Sequence, residues 1–206
     1  MIRLHLVDEH LIVAEKPPGL LSVPGRGPAN QDCVVARVRE LFPDALTVHR
    51  LDQATSGLIV LARGAEAHRA LSQAFAGRHV AKRYVAVVAG HVSGDEGEID
   101  LPLITDWPNR PRQMVDHARG KPSLTRYRVL AREDGITRLV LEPVTGRSHQ
   151  LRVHLLSLGH PILGDELYAP PAIAAASPRL LLHAEALTLP HPVSGAIMDF
   201  HSPPEF

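Results

Sequence analysis

This sequence predicts an α+β fold built on a mixed, mostly antiparallel sheet, and three observations carry that prediction. Short apolar runs bounded by Gly, Pro, Asn and Asp recur along the chain, as strands do. A few segments instead repeat apolar residues at helical spacing, without the strict strand–helix alternation of a parallel α/β sheet. Tight turns such as Asp134-Gly135 join neighbouring runs in the manner of hairpins.

Taken in order, residues 4–7 and 11–15 read as two short strands around Asp8-Glu9-His10. Lys16-Pro17-Pro18-Gly19 stops the second, because proline cannot continue a ladder. Val34, Val38 and Leu41 recur at helical spacing, with Asn30 or Asp32 as the expected cap and Pro43 as the stop. Residues 58–62, between Gly57 and Gly64, form a continuous apolar run and predict a fully buried strand. A second helix is expected over 65–76, with Leu71 and Phe75 on one face and Gly77 near its end. Residues 84–89 are valine-rich and predict a strand. Tyr127 and Val129 face opposite to Arg126 and Arg128, the alternation of a half-buried strand that turns at Asp134-Gly135 into a partner over 137–141. A third helix is predicted over 148–158, with Leu151, Leu155 and Leu158 inward and Gly159 ending it. Residues 180–189 and 196–200 flank a turn over 190–195 as a closing hairpin.

Composition narrows the class. With 206 residues, 45% of them hydrophobic, the chain can bury a core unaided. Cys33 is the single cysteine, which excludes an internal disulfide and a cysteine zinc cage and fits a reducing cytoplasm. Residues 1–15 lack the hydrophobic centre of a signal peptide, and no run approaches the roughly 20 apolar residues of a membrane span. A soluble cytoplasmic protein is therefore expected.

Formal net charge is +0, yet the charge is unevenly spread. Residues 105–155 hold ten basic and five acidic side chains, whereas from 160 onward Arg179 stands alone against five acids. A basic middle with an acidic tail suits one face meeting a polyanion, and equally suits a solvated arginine-rich surface.

The residues that carry chemistry sit in separate segments. Asp52, beside Arg50, lies in a short polar stretch that opens into the buried run 58–62. A lone aspartate there is most often a cap or turn residue, but one kept ionised by an arginine is also poised as a nucleophile or base. Lys82-Arg83-Tyr84 leads a strand, and a strand-edge tyrosine either caps a core or offers its ring to a planar base. Thr145-Gly146-Arg147-Ser148-His149-Gln150-Leu151-Arg152-Val153-His154 spans a strand–helix junction, where free backbone N–H groups favour anions. Arg147 is placed to hold a phosphate, and Arg152, about one turn into the helix, to pair with a carboxylate.

Together these segments resemble the RluA family of pseudouridine synthases. The family's His-Arg-Leu-Asp…Thr-Ser-Gly-Leu block, Lys-x-Tyr strand and Thr-Gly-Arg-x-His-Gln-Leu-Arg-x-His helix start are reproduced, in order, at 49–58, 82–84 and 145–154. Lys16-Pro17-Pro18-Gly19-Leu20 and His160-Pro161-Ile162-Leu163-Gly164-Asp165 resemble its first motif and its continuation. Residues 101–111 and 179–185 are similar to the branch of the family that acts on both rRNA and tRNA.

The resemblance implies a single pseudouridine-synthase-type catalytic domain over 1–206, with flanking helices and a central cleft, and without the N-terminal S4-like domain some members carry. It implies isomerisation of uridine in structured RNA, namely large-subunit (23S) rRNA and the anticodon stem-loop of tRNA, with no cofactor and no metal. Asp52 is then the catalytic carboxylate, attacking C1′ or removing a sugar proton, and the sequence leaves both routes open. Tyr84 stacks on the target base and is placed for a late deprotonation at C5. Arg152 pairs with Asp52. Arg50 fills the space of the everted base, whose flipping costs a few kcal/mol. Arg147, His149, Arg110 and Arg112 are phosphate contacts, and Gln150 ties the strand–helix junction. A monomer is expected, because no heptad or extended apolar helix suggests a partner.

Other classes fit less well. A non-catalytic RNA-binding module would use the basic middle and Tyr84 but has no use for an acid that repels phosphates. The 13 histidines lack His-Glu-x-x-His or comparable ligand spacing, which argues against a metalloenzyme. Gly25-Arg26-Gly27 lacks the third glycine and βαβ context of a dinucleotide loop. A glycosidase would need a second acid for the leaving group.

Overall fold

The computed structural model describes residues 2–206, which fall into two compact units. One comprises the chain up to Lys82 together with His183–Glu205, and the other Arg83–Leu182 with Phe206. The α+β class stands, with a mixed sheet and few helices. Among the described residues no helix is long and apolar enough to cross a membrane.

The first unit is built on β1 (Arg3–Val7), β2 (Leu11–Lys16), α1 (Val34–Arg39), β3 (Ala45–Thr47), β4 (Ser56–Arg63) and α2 (Gly64–Ala76). β4 is the central strand: β2 and β3 both pair with it antiparallel. Every residue of β4 except Arg63 is buried, as its unbroken apolar run requires. Leu58, Val60 and Ala62 share one face with Leu11 and Val13 of β2, and α2 covers that face with Ala67, Leu71 and Ala74. Phe75 packs at the edge of the same cluster, so the helix presents the face its spacing implied. Gly77 closes α2, donating its N–H to Gln73 O at 2.7 Å.

Expectation and structure part at α1. Its cap is Cys33 in extended conformation with no side-chain hydrogen bond, not Asn30 or Asp32. Asp32 instead pairs with Arg37 on the exposed side (2.6 Å). The helix ends at Arg39, before Leu41, which is 70% exposed. The valines alone, Val34, Val35 and Val38, make its buried face.

The second unit is carried by β5 (Ala81–Ala89), β6 (Glu96–Asp100), β7 (Leu103–Thr105), β8 (Gln113–Val115), β9 (Leu124–Glu133) and β10 (Ile136–Pro143), followed by α3 (Gln150–Ser157) and α4 (Pro171–Ala174). Within it the strand order is β5-β10-β9-β6, antiparallel throughout. The expected turn joins β9 to β10 with positive φ at Asp134 (46°) and Gly135 (76°), the backbone that matches strand twist in a tight hairpin. β7 and β8 make a separate small hairpin, unforeseen because each strand has three residues and Pro108 and Pro111 interrupt the connection.

α3 is shorter than expected and more deeply buried. Leu158 lies beyond its end and is 37% exposed, while Gln150, Arg152 and His154 are buried along with Leu151, Val153 and Leu155. Its polar side chains are inside because each finds a partner there: His154 lies between Thr125 Oγ1 (2.9 Å) and Leu101 O (3.0 Å).

The chain returns to the first unit through β11 (Leu182–Pro190) and β12 (Ile197–His201), the closing hairpin. β11 runs parallel to β4, with His183 opposite Ser56 and Ala184 opposite Gly57. Gly57 (φ 113°) is obligatory here, since a Cβ would collide with the Ala184 backbone.

Candidate active site

In the first unit Asp52 sits, half-buried, in the loop between β3 and β4. Its carbonyl accepts the Thr55 N–H at 3.1 Å, closing a turn that feeds directly into β4. The residues on either side are pinned. Ser22 Oγ donates to Leu51 O (2.8 Å) and accepts from Leu51 N–H (3.1 Å). Gln53 O accepts from Gly19 N–H (2.9 Å) and from the ammonium of Lys16 (2.8 Å), and the Gln53 side chain donates back to Gly19 O (3.0 Å).

Lys16 is wholly buried and also donates to Pro17 O (2.9 Å) and Leu20 O (2.7 Å). A buried ammonium is costly unless its protons are bonded, so Lys16 binds this turn to the proline segment. The backbone on both sides of Asp52 is thereby fixed.

His49 and Arg50 part company although they are adjacent. The His49 ring stacks on Phe75 (4.5 Å between centroids), and its Nε2 accepts the Val60 N–H at 3.0 Å. Burial, helped by the nearby Lys82 ammonium, lowers its pKa to about 3, so it is a neutral structural acceptor for β4. Arg50 is exposed and makes no hydrogen bond or ion pair with any described residue. At the head of β4, Ser56 Oγ bonds His183 Nδ1 (2.8 Å). His183 Nε2 lies 2.9 Å from Ser202 O, and because a carbonyl only accepts, Nε2 carries the proton.

Tyr84 and Arg152 belong to the second unit. Tyr84 is half-buried on β5, in register with Leu141 of β10. Arg152 is 4% exposed and forms a two-pronged pair with Asp165, Nε to Oδ2 at 2.8 Å and Nη2 to Oδ1 at 2.6 Å. Its guanidinium also lies 5.0 Å from the centre of the Tyr168 ring. The Asp165–Arg152 pair was not foreseen. The spacing Gly164-Asp165-x-x-Tyr168 was the available signal, but nothing in a single sequence tells an arginine which acid it will meet.

His149 caps α3 in left-handed conformation (φ 53°, ψ 17°), with Nδ1 2.6 Å from Tyr168 Oη. Gln150 is buried and saturated: Oε1 accepts from Thr145 Oγ1 (2.8 Å) and Arg147 N–H (3.0 Å), and Nε2 donates to Leu124 O and Thr125 Oγ1 (3.0 Å each). It ties the strand–helix junction as the sequence implied. Arg147 is exposed beside it.

Arg110 and Arg112 lie exposed in the loop of the β7–β8 hairpin, where Arg110 stacks on Trp107 at 4.4 Å. Of the predicted residues of this unit, buried Arg152 and half-buried His149 meet at Tyr168, while Arg110, Arg112 and Arg147 are exposed. A depression of about 340 Å³ over β6, β9 and β10 holds none of them; it is lined by Glu96, Glu98, Arg126 and Arg128 among others.

Known proteins identify the family. Residues 10–157 match the family model described as RNA pseudouridylate synthase. The chain is 54% identical over 200 residues to the dual-specificity RNA pseudouridine synthase RluA of Escherichia coli K12, covering 97% of this chain and 91% of that protein. It is 54% identical to the protein of the same name from Yersinia pestis, covering 97% of each. Among solved structures, human RNA pseudouridylate synthase domain containing 1 superposes with a TM-score of 0.84 at 27% identity, covering 100% of this chain and 84% of that one. The chain belongs to the RluA family of RNA pseudouridine synthases.

Proposed function

We propose that this RNA pseudouridine synthase modifies uridines in both large-subunit (23S) rRNA and the anticodon stem-loop of tRNA, with Asp52 as its catalytic carboxylate. The observation that carries the assignment of Asp52 is its turn, pinned at Leu51 by Ser22 and at Gln53 by Lys16 and Gly19. The double substrate is supported by the relatives named dual-specificity, at 54% identity over nearly the whole chain.

In the reaction the N1–C1′ bond breaks, the uracil turns, and C5 bonds to C1′. The proton on C5 is lost and N1 gains one, so reactant and product are isomers. Asp52 either attacks C1′ and is later displaced, or removes a sugar proton to open a glycal route. Tyr84 stacks on the uracil and assists deprotonation at C5. Arg152, held by Asp165, is the cationic partner of Asp52 on this reading. Arg50, exposed and unengaged, occupies the gap left by the everted base. Arg147, His149, Arg110 and Arg112 meet phosphates. The enzyme acts as a monomer in the cytoplasm, with no metal or cofactor.

The experiment is to map pseudouridine in rRNA and tRNA from cells with and without the gene. Loss of at least one site in each class is expected. Unchanged modification in both would remove the assignment, and loss in one alone would reduce it to that RNA.

A further inference from the structure

Tyr168 touches three parts of the second unit, Arg152, His149 and the β7–β8 hairpin. Its ring lies beneath the Arg152 guanidinium at 5.0 Å. Its hydroxyl accepts the Gln113 N–H (2.8 Å) on β8 of the hairpin and bonds His149 Nδ1 (2.6 Å) at the start of α3. Its own N–H donates to Asp165 Oδ1 (3.2 Å), the same oxygen that takes Arg152 Nη2. One side chain therefore links the hairpin bearing Trp107, Arg110 and Arg112 to the buried arginine.

From this geometry we infer that Tyr168 is a positioning residue coupling the β7–β8 hairpin to Arg152, so that seating RNA on the hairpin and aligning the arginine are one event. Its hydroxyl sets the hairpin and its ring sets the guanidinium. A shift of the hairpin must pull on the Gln113–Tyr168 bond, and Tyr168 cannot move without disturbing the face on which Arg152 rests. The inference rests on the reading above, in which the hairpin meets RNA and Asp52 is catalytic.

The test measures RNA affinity and single-turnover rate separately, in the full chain, on a stem-loop that the wild type modifies. Tyr168→Phe keeps the ring but cuts the hydroxyl's link between hairpin and arginine, so affinity and rate should fall together, each about three- to tenfold. Tyr168→Leu removes the ring too, and the rate should fall by roughly a further tenfold. Combining Tyr168→Phe with Arg110→Ala should cost less than the product of the single losses, because both act through one hairpin.

Wild-type affinity in Tyr168→Phe, or multiplicative losses in the double variant, would overturn the coupling. A lowered melting temperature with affinity and rate unchanged would overturn it as well, since that is what a merely structural tyrosine gives. The two readings fail separately. An Asp52→Asn variant that still turns over sinks the catalytic assignment, whereas an inactive one beside a wild-type-like Tyr168→Phe sinks the coupling alone.

Discussion

At Leu51 both backbone polar groups end on a single hydroxyl, that of Ser22, and both atoms are buried. Removing it leaves a buried donor and a buried acceptor unmatched, so Ser22→Ala should lose about 1–3 kcal/mol of stability in denaturant unfolding. The same variant should lower turnover more than RNA affinity, because the released peptide immediately precedes Asp52. Asp52 was picked out as a candidate by its place before a buried run and by the tyrosine and arginine motifs downstream. The roles of Lys16 and Asp165 were not. Lys16 looked like one residue of a proline-rich stop, and only the folded chain shows its ammonium on three carbonyls. His49 was readable as part of a motif but not as the stacked, neutral acceptor that supports Val60.

Among the elements, β4 and α2 were readable because strong periodicity, flanking glycines and burial all agree. Leu71 is fully buried where α2 crosses the sheet, so Leu71→Ala should cost about 2–5 kcal/mol. Gly57→Ala should be at least as damaging for a different reason, its Cβ meeting the Ala184 backbone; a melting curve well below that of a neutral surface variant checks it. The elements that escaped were short or chemically mixed. β3, β7 and β8 each have three residues, too few for an alternation to register. α3 hid its depth because Gln150, Arg152 and His154 look solvent-facing until Thr125, Asp165 and Leu101 are placed against them.

At the scale of the molecule, the net charge of +0 concealed the feature that matters, an arginine-rich middle segment. Several of those arginines are engaged within the protein, Arg126 with Glu98 and Arg132 with Asp95, so local charge excess overstates the surface open to RNA. Whole-molecule stability should follow the half-buried His49 and the buried His154. Folding lowers the His49 pKa from 6.5 to about 3, and burial lowers that of His154 in the same direction. The unfolded chain therefore binds the extra proton at His49 between pH 6.5 and about 3. The His49 contribution is full above about pH 6.5 and falls as pH drops toward 3, by about 1.4 kcal/mol per unit, and His154 acts in the same direction. The urea midpoint should be lower at pH 5 than at pH 7.5, and His49→Gln, which keeps an acceptor for Val60, should flatten that dependence.

The most direct measurement of the central claim is pseudouridine formation by Asp52→Asn on a stem-loop RNA, with binding followed in parallel. Loss of turnover by about 10²–10⁴-fold or more, with affinity within a few-fold of wild type, is the predicted result. Turnover at a wild-type rate, or an equal collapse of binding and turnover in a folded variant, would contradict the role given to this carboxylate.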